Sequence, residues 1–177
     1  MAGLFSLFCA WQLITTNPNA KSGIINLDLE DYAPRDIITE IDLKDFLFEG
    51  LILKEKYFRE SLKDHNWSKY RGDVLALFCS SNSIIPMWAY MLVTSYLEKN
   101  NLINFYGNKE QVFNLLFIEI IEELDIHEFK DKRVIIKGCG NLKIHEKIYV
   151  AITKKMQPAV KSLMFGEACS SVPIHKK

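Results

Sequence analysis

The chain has 177 residues, 49% of them apolar and 25% charged, a globular composition long enough to bury a core without disulfide or metal staples. Lysine plus arginine (22) equals aspartate plus glutamate (22), so no global field draws nucleic acid or an anionic membrane surface. Cysteines at 9, 79, 139 and 169 stand far apart with no CxxC pair, which argues against a secreted disulfide framework and for a reducing cytoplasm.

The opening "MAGLFSLFCAWQLITTNPNA" lacks a basic n-region, and about ten apolar residues are too few to span a bilayer. Residues 1–21 therefore read as an N-terminal extension, and 22–177 as a single domain. "GIINLDLEDY" (23–32) alternates Ile25, Leu27 and Leu29 with polar neighbours, as a half-exposed strand does, and is expected to pair antiparallel with "IITEIDL" (37–43) across Pro34. "KDFLFEG" and "KEKYFRESLKDH" read as helices. "VLALFC" (74–79) is a continuous apolar run, the pattern of a strand covered on both faces.

After Ser-Ser-Asn-Ser, Pro86 suits the first turn of a helix, "IPMWAYMLVTSYLEKN", apolar nearly all round and therefore expected to be buried. "LINFYG" (102–107) is a second strand of this half. "KEQVFNLLFIEIIEEL" (109–124) sets Phe113, Leu116, Phe117, Ile120, Ile121 and Leu124 on one helical face, with Glu119, Glu122 and Glu123 opposite. "KRVIIKG" (132–138) is a strand, "IHEKIYVAITKKM" (144–156) a helix ending before Pro158, and "AVKSLMFG" (159–166) a further strand. Alternation at this spacing predicts an α/β fold: one mixed, mostly parallel sheet with helices on both faces.

Cys79 closes the first of these later strands, Cys139 follows the third, and Cys169 lies just past the fourth. Ligands bind outside the carboxyl ends of parallel strands, so neighbouring strands of one sheet would deliver three thiols to one rim. Thiolates are soft ligands that select zinc, copper(I) or an iron-sulfur cluster, with Glu167 or His175 available for a fourth position. The plain alternative is that the cysteines are small buried apolar residues. Cys139 between two glycines, or Cys79 before a helix, could also act as a nucleophile, but no histidine is marked by spacing as its partner. Ser80, Ser81 and Ser83 suit capping of the helix that carries Pro86, and an anion site there is the sharper option. Walker, GxGxxG, HExxH and GxSxG patterns are all missing from the sequence. Trp67, Tyr70, Trp88 and Tyr90 read as packing residues, and the short basic runs "ITKK" and "IHKK" as solvated lysines.

Taken together, "SGIINLDLEDY", "LFEGLILKEKYFRESLKDHNWSKY", "CSSNSIIPMWAYML", "DKRVIIKGC" and "KSLMFGEACSSVPIHKK" resemble bacterial domain-of-unknown-function family 2480, over about residues 22–177. The resemblance takes in Cys79, Cys139 and Cys169 but not Cys9, and it implies no established activity. Through the gene neighbourhood of such proteins, it implies iron-sulfur assembly proteins as partners. The functional reading is a cytoplasmic accessory protein that binds a metal or iron-sulfur centre, or zinc, through those three cysteines, with no nucleic acid and no membrane among its partners. The alternative is a small-anion-binding or scaffold protein using Ser80, Ser81, Ser83 and Glu167, its cysteines structural.

Overall fold

The computed structural model describes residues 23–137, 140–167 and 169–177. In chain order the elements are β1 (Ile24–Leu27), β2 (Ile38–Asp42), α1 (Glu55–Asp64), β3 (Val74–Phe78), α2 (Met87–Lys99), β4 (Ile103–Tyr106), α3 (Lys109–Glu123), β5 (Arg133–Ile136), α4 (Glu146–Met156), β6 (Ser162–Glu167) and β7 (Ser170–Lys176). The α/β class holds, with strands mostly parallel. The strands form two sheets rather than one, in the orders β1-β5-β6-β7 and β2-β3-β4. They lie in two compact units, one made of the described residues up to Ala33 with those of Phe117–Lys177, the other of Pro34–Leu116.

In the unit of Pro34–Leu116, β3 pairs parallel with β2 and with β4, so it is the central strand. Val74, Leu75, Ala76 and Leu77 are all buried, as the unbroken apolar run requires. Side chains alternate across a strand. Leu75 and Leu77 therefore pack with Phe58 and Leu62 of α1 and Val93 and Leu97 of α2, while Val74 and Ala76 pack with Val112 and Leu116 of α3. Phe58 meets Phe46 and Trp88 edge-on, at ring-centroid distances of 6.4 and 5.9 Å. Trp67 stacks on Phe46 and donates its indole N–H to the Leu62 carbonyl at 2.9 Å. The packing role expected for Trp67 and Trp88 is thus what these rings perform. His65 stacks on Tyr70, and burial with the nearby Lys69 charge holds its imidazole below the ordinary value despite Asp45.

Two expectations fail here for identifiable reasons. Helix α2 is not buried all round: Met87 and Met91 are 72% and 71% exposed, because only its Ala89, Val93 and Leu97 stripe meets the sheet side. The serines before it do not cap it either. Pro86 occupies the N-cap, with no side-chain cap hydrogen bond, and the serine groups are engaged elsewhere. Helix α3 is instead the well-capped one: Asn108 Oδ1 accepts from the Gln111 amide and Gln111 Oε1 accepts from the Asn108 amide, both at 2.9 Å.

In the other unit, β1 pairs parallel with β5 (Ile24 opposite Arg133), and not antiparallel with residues 37–43. It is short because Asp28 ends it: its carboxylate accepts from the Glu30 amide and caps a single 3-10 turn, Leu29–Tyr32. Burial, together with Asp31 and Glu128, pushes the Tyr32 phenol in that turn up to about 12. β5 pairs parallel with β6, and α4 between them buries Ile148, Ile152 and Met156, a helical stripe four residues apart. The last strand, β7, returns antiparallel on β6, so Ser170 and Ser171 lie in a strand opposite Glu167 and Gly166.

Candidate functional site at the carboxyl ends of the strands

The carboxyl ends of β1 and β5 lie side by side, Leu27 opposite Ile136. The next residues are Asp28 and Lys137, and the Lys137 ammonium donates to Asp28 Oδ2 at 2.8 Å. That hydrogen bond, with the Asp28 charge behind it, raises the Lys137 pKa above its ordinary value against the opposing effect of burial; Glu167, ending β6, and Asp31 add smaller contributions. Asp28 is fixed from two directions, by the Glu30 amide on one oxygen and by Lys137 on the other. Glu30 in turn accepts the Leu142 amide, so a carboxylate from the 3-10 turn fastens the loop that follows β5. Gly140 allows this close approach, since a Cβ there would come within 2.6 Å of Glu30 Cδ.

These groups surround a cavity of about 210 Å³, lined by Asp28, Glu30, Lys137, Leu142, Lys143 and Tyr149 among others. Tyr149, from the second turn of α4, is held edge-on against Phe165 of β6, ring centroids 5.6 Å apart. Lys143 is exposed and makes no ion pair among the described residues. Two carboxylates and two ammonium groups therefore share one small opening. At the mouth of a parallel sheet, this is the position where α/β folds bind ligands.

The residues expected from sequence distribute as follows. Cys79 is half-buried one residue past β3, its Sγ 3.3 Å from Ser81 Oγ. The Ser80 amide donates to Asp42 Oδ1 at 3.0 Å, the Ser81 hydroxyl accepts from the Ser83 amide at 3.2 Å, and the Ser83 hydroxyl donates to the Leu51 carbonyl. Burial would raise the Asp42 pKa, but the hydrogen bonds from Ser80 and the Lys44 amide, with the Lys44 charge, hold it below the ordinary carboxylate value. These serines thus tie down the loop after β3. Cys169 is exposed in the turn between β6 and β7, and Glu167 is exposed at the end of β6. Cys139 lies outside the described residues.

Cys79 therefore leaves the three-stranded sheet, whereas Cys169 follows a strand of the four-stranded one. The expected delivery of Cys79 from the same sheet as the other strand exits does not hold, because β3 belongs to the three-stranded sheet. Among the described residues no three His, Cys, Asp or Glu side chains are placed to hold a metal ion together. Asp28, Glu30, Lys143 and Tyr149 were not singled out in the sequence. The signal was present, because the strand-exit rule that picked the cysteines picks Asp28 after "IINL" equally well.

The fold and this opening define an α/β protein with a small, charged opening at the mouth of a parallel sheet. The chain belongs to the family described as protein of unknown function (DUF2480), whose model matches residues 14–177. The match reaches back to residue 14, so part of the stretch read as an extension lies within the family. Neither a curated protein nor a solved structure matches the chain. Among the described residues no helix is long and apolar enough to cross a membrane.

Proposed function

We propose that this protein binds a small zwitterionic metabolite, of amino-acid size, in the cleft between the ends of β1 and β5. The observation that carries the reading is the charge of the lining: Asp28 and Glu30 against Lys137 and Lys143, balanced in sign, around about 210 Å³. That volume lies below the ~300–1,000 Å³ of pockets for larger ligands. Asp28 and Lys137 neutralise each other, which leaves Lys143 for a carboxylate and the outer Glu30 oxygen for an ammonium group. A net anion would face Glu30; a ligand carrying both charges meets a partner at each end. Titration calorimetry with a panel of free amino acids, acetate and inorganic phosphate tests this. One or more amino acids are expected to bind, and Lys143→Ala to weaken binding by roughly tenfold, the loss of one charge-assisted contact of about 1.5 kcal/mol. Tighter binding of phosphate than of any amino acid would reject the reading.

A second reading keeps a metal or iron-sulfur centre, because β5 and β6 are neighbours and end at the same edge, with Cys139 three residues beyond one and Cys169 two beyond the other. Two thiols from that edge, with a partner supplying the rest, would make a thiolate site for handing on a metal in assembly chemistry. Anaerobic purification followed by metal and sulfide analysis decides it. Stoichiometric metal lost in both Cys139→Ser and Cys169→Ser but kept in Cys79→Ser supports this reading. Trace metal that is unchanged by the two substitutions rejects it.

A further inference from the structure

The opposite, amino-terminal edge of the four-stranded sheet gathers lysines that are far apart in sequence. The Lys161 amide donates to the Lys132 carbonyl at 2.7 Å, and the Lys177 amide to the Lys161 carbonyl at 3.0 Å. Three lysines thus stand side by side, each one residue outside β5, β6 or β7, separated by the ~4.8 Å strand spacing. One step into the sheet, Arg133 is opposite Ser162, and Ser162 opposite Lys176. Lys130, Lys132, Arg133, Lys161, Lys176 and Lys177 are all exposed. The acid within these segments is Asp131, 3.6 Å from Lys177 Nζ.

Like charges held side by side at neighbouring strand ends repel one another. In a chain whose charges balance, 22 against 22, this concentration does not follow from composition. A local arrangement that opposes folding is a mark of function.

We infer that this edge docks a short acidic segment of a partner protein. The charge complement is six cations across three strands, a width of about 10 Å at the strand spacing. Nucleic acid is disfavoured because these segments present no exposed aromatic ring on which a base could stack, and five of the six cations are lysines, which do not form the bidentate fork of arginine. A membrane is disfavoured because residues 130–133, 161–162 and 176–177 expose no large apolar side chain to enter it, the exposed Val172 and Ile174 lying farther along β7. Strand addition is blunted as well: edge strand β7 contains Pro173 and a register shift opposite Leu163 and Met164. The segment therefore lies across the lysine side chains.

Fluorescence anisotropy with a labelled peptide of about eight glutamates, at low and at physiological ionic strength, reads the interaction. The wild-type chain is expected to bind the peptide and to lose affinity as salt rises. Combined Lys132→Gln, Lys161→Gln and Lys177→Gln should weaken binding roughly tenfold, the sum of three exposed charge contacts. The unfolding midpoint of that variant should not fall, since repulsion is relieved. Lys56→Gln, on α1 of the other unit, should leave the peptide affinity unchanged. Peptide binding that the triple variant retains overturns the inference. So does equal or tighter binding of an oligothymidylate of the same charge, or of vesicles containing anionic lipid.

Discussion

Phe58→Ala is expected to destabilise the unit of Pro34–Leu116 by about 3–5 kcal/mol, the range for removing a fully buried phenylalanine. Phe58 has no exposed surface, and it is the side chain through which α1 reaches both the sheet and the aromatic group. Its ring touches Phe46 on one side and Trp88 of α2 on the other. Truncation leaves a cavity that cannot collapse easily, because Phe46 beside it is itself stacked on Trp67. Urea unfolding followed by tryptophan fluorescence reads the loss directly, as Trp67 and Trp88 both report on this region. Phe58→Leu, which keeps most of the volume, should lose much less. Equal losses in the two variants would mean that packing volume is not what Phe58 supplies.

Gly166→Ala is expected to be comparably severe in the other unit. Gly166 has φ +119°, a conformation that costs a residue with a side chain about 1–3 kcal/mol. A Cβ there would also lie 2.6 Å from the Ser170 carbonyl oxygen, backbone that cannot swing aside as a side-chain tip can. The β6–β7 hairpin must then open at the end that carries Glu167 and Cys169. Gly72→Ala separates the two costs: Gly72 also has positive φ, +93°, but a Cβ there would meet nothing within 4 Å. The unfolding free energy should fall markedly further for Gly166→Ala than for Gly72→Ala. Similar losses would remove the steric part of the account.

Much of this fold was legible in the sequence. The unbroken run at 74–78, covered on two faces, and the 3.6-residue stripe of α4 are direct consequences of burial and emerged as expected. β7 was not legible, because Pro173 and the serine pair carry turn chemistry, and only pairing with β6 makes an edge strand of them. The partner of β1 was not legible either: it lies more than a hundred residues away, and a parallel pairing leaves no turn residues to announce it. The split into two sheets has the same origin, since periodicity shows that a strand exists without showing which strand it joins.

For the site, the rule that chemistry gathers at strand exits carried over, whereas the choice of residue type did not. Cysteines drew attention because thiols are rare and reactive. Asp28 and Lys137 are ordinary residues in ordinary places, and only a register that sets Leu27 beside Ile136 turns them into a 2.8 Å pair. Ser80, Ser81 and Ser83 illustrate the converse, since their positions suggested a helix cap or an anion and their hydrogen bonds go to Ser83, Asp42 and Leu51 instead.

The central claim, that the mouth of β1 and β5 is the binding site, is tested most directly by amide chemical-shift mapping of the full chain during titration with the tightest-binding amino acid of the calorimetric panel. The account predicts saturable shifts at Glu30, Leu142, Lys143 and Tyr149, with the titration midpoint moved roughly tenfold higher in Lys143→Ala. Shifts confined to Ser80, Ser81 and Ser83, with the β1–β5 mouth silent, would contradict it.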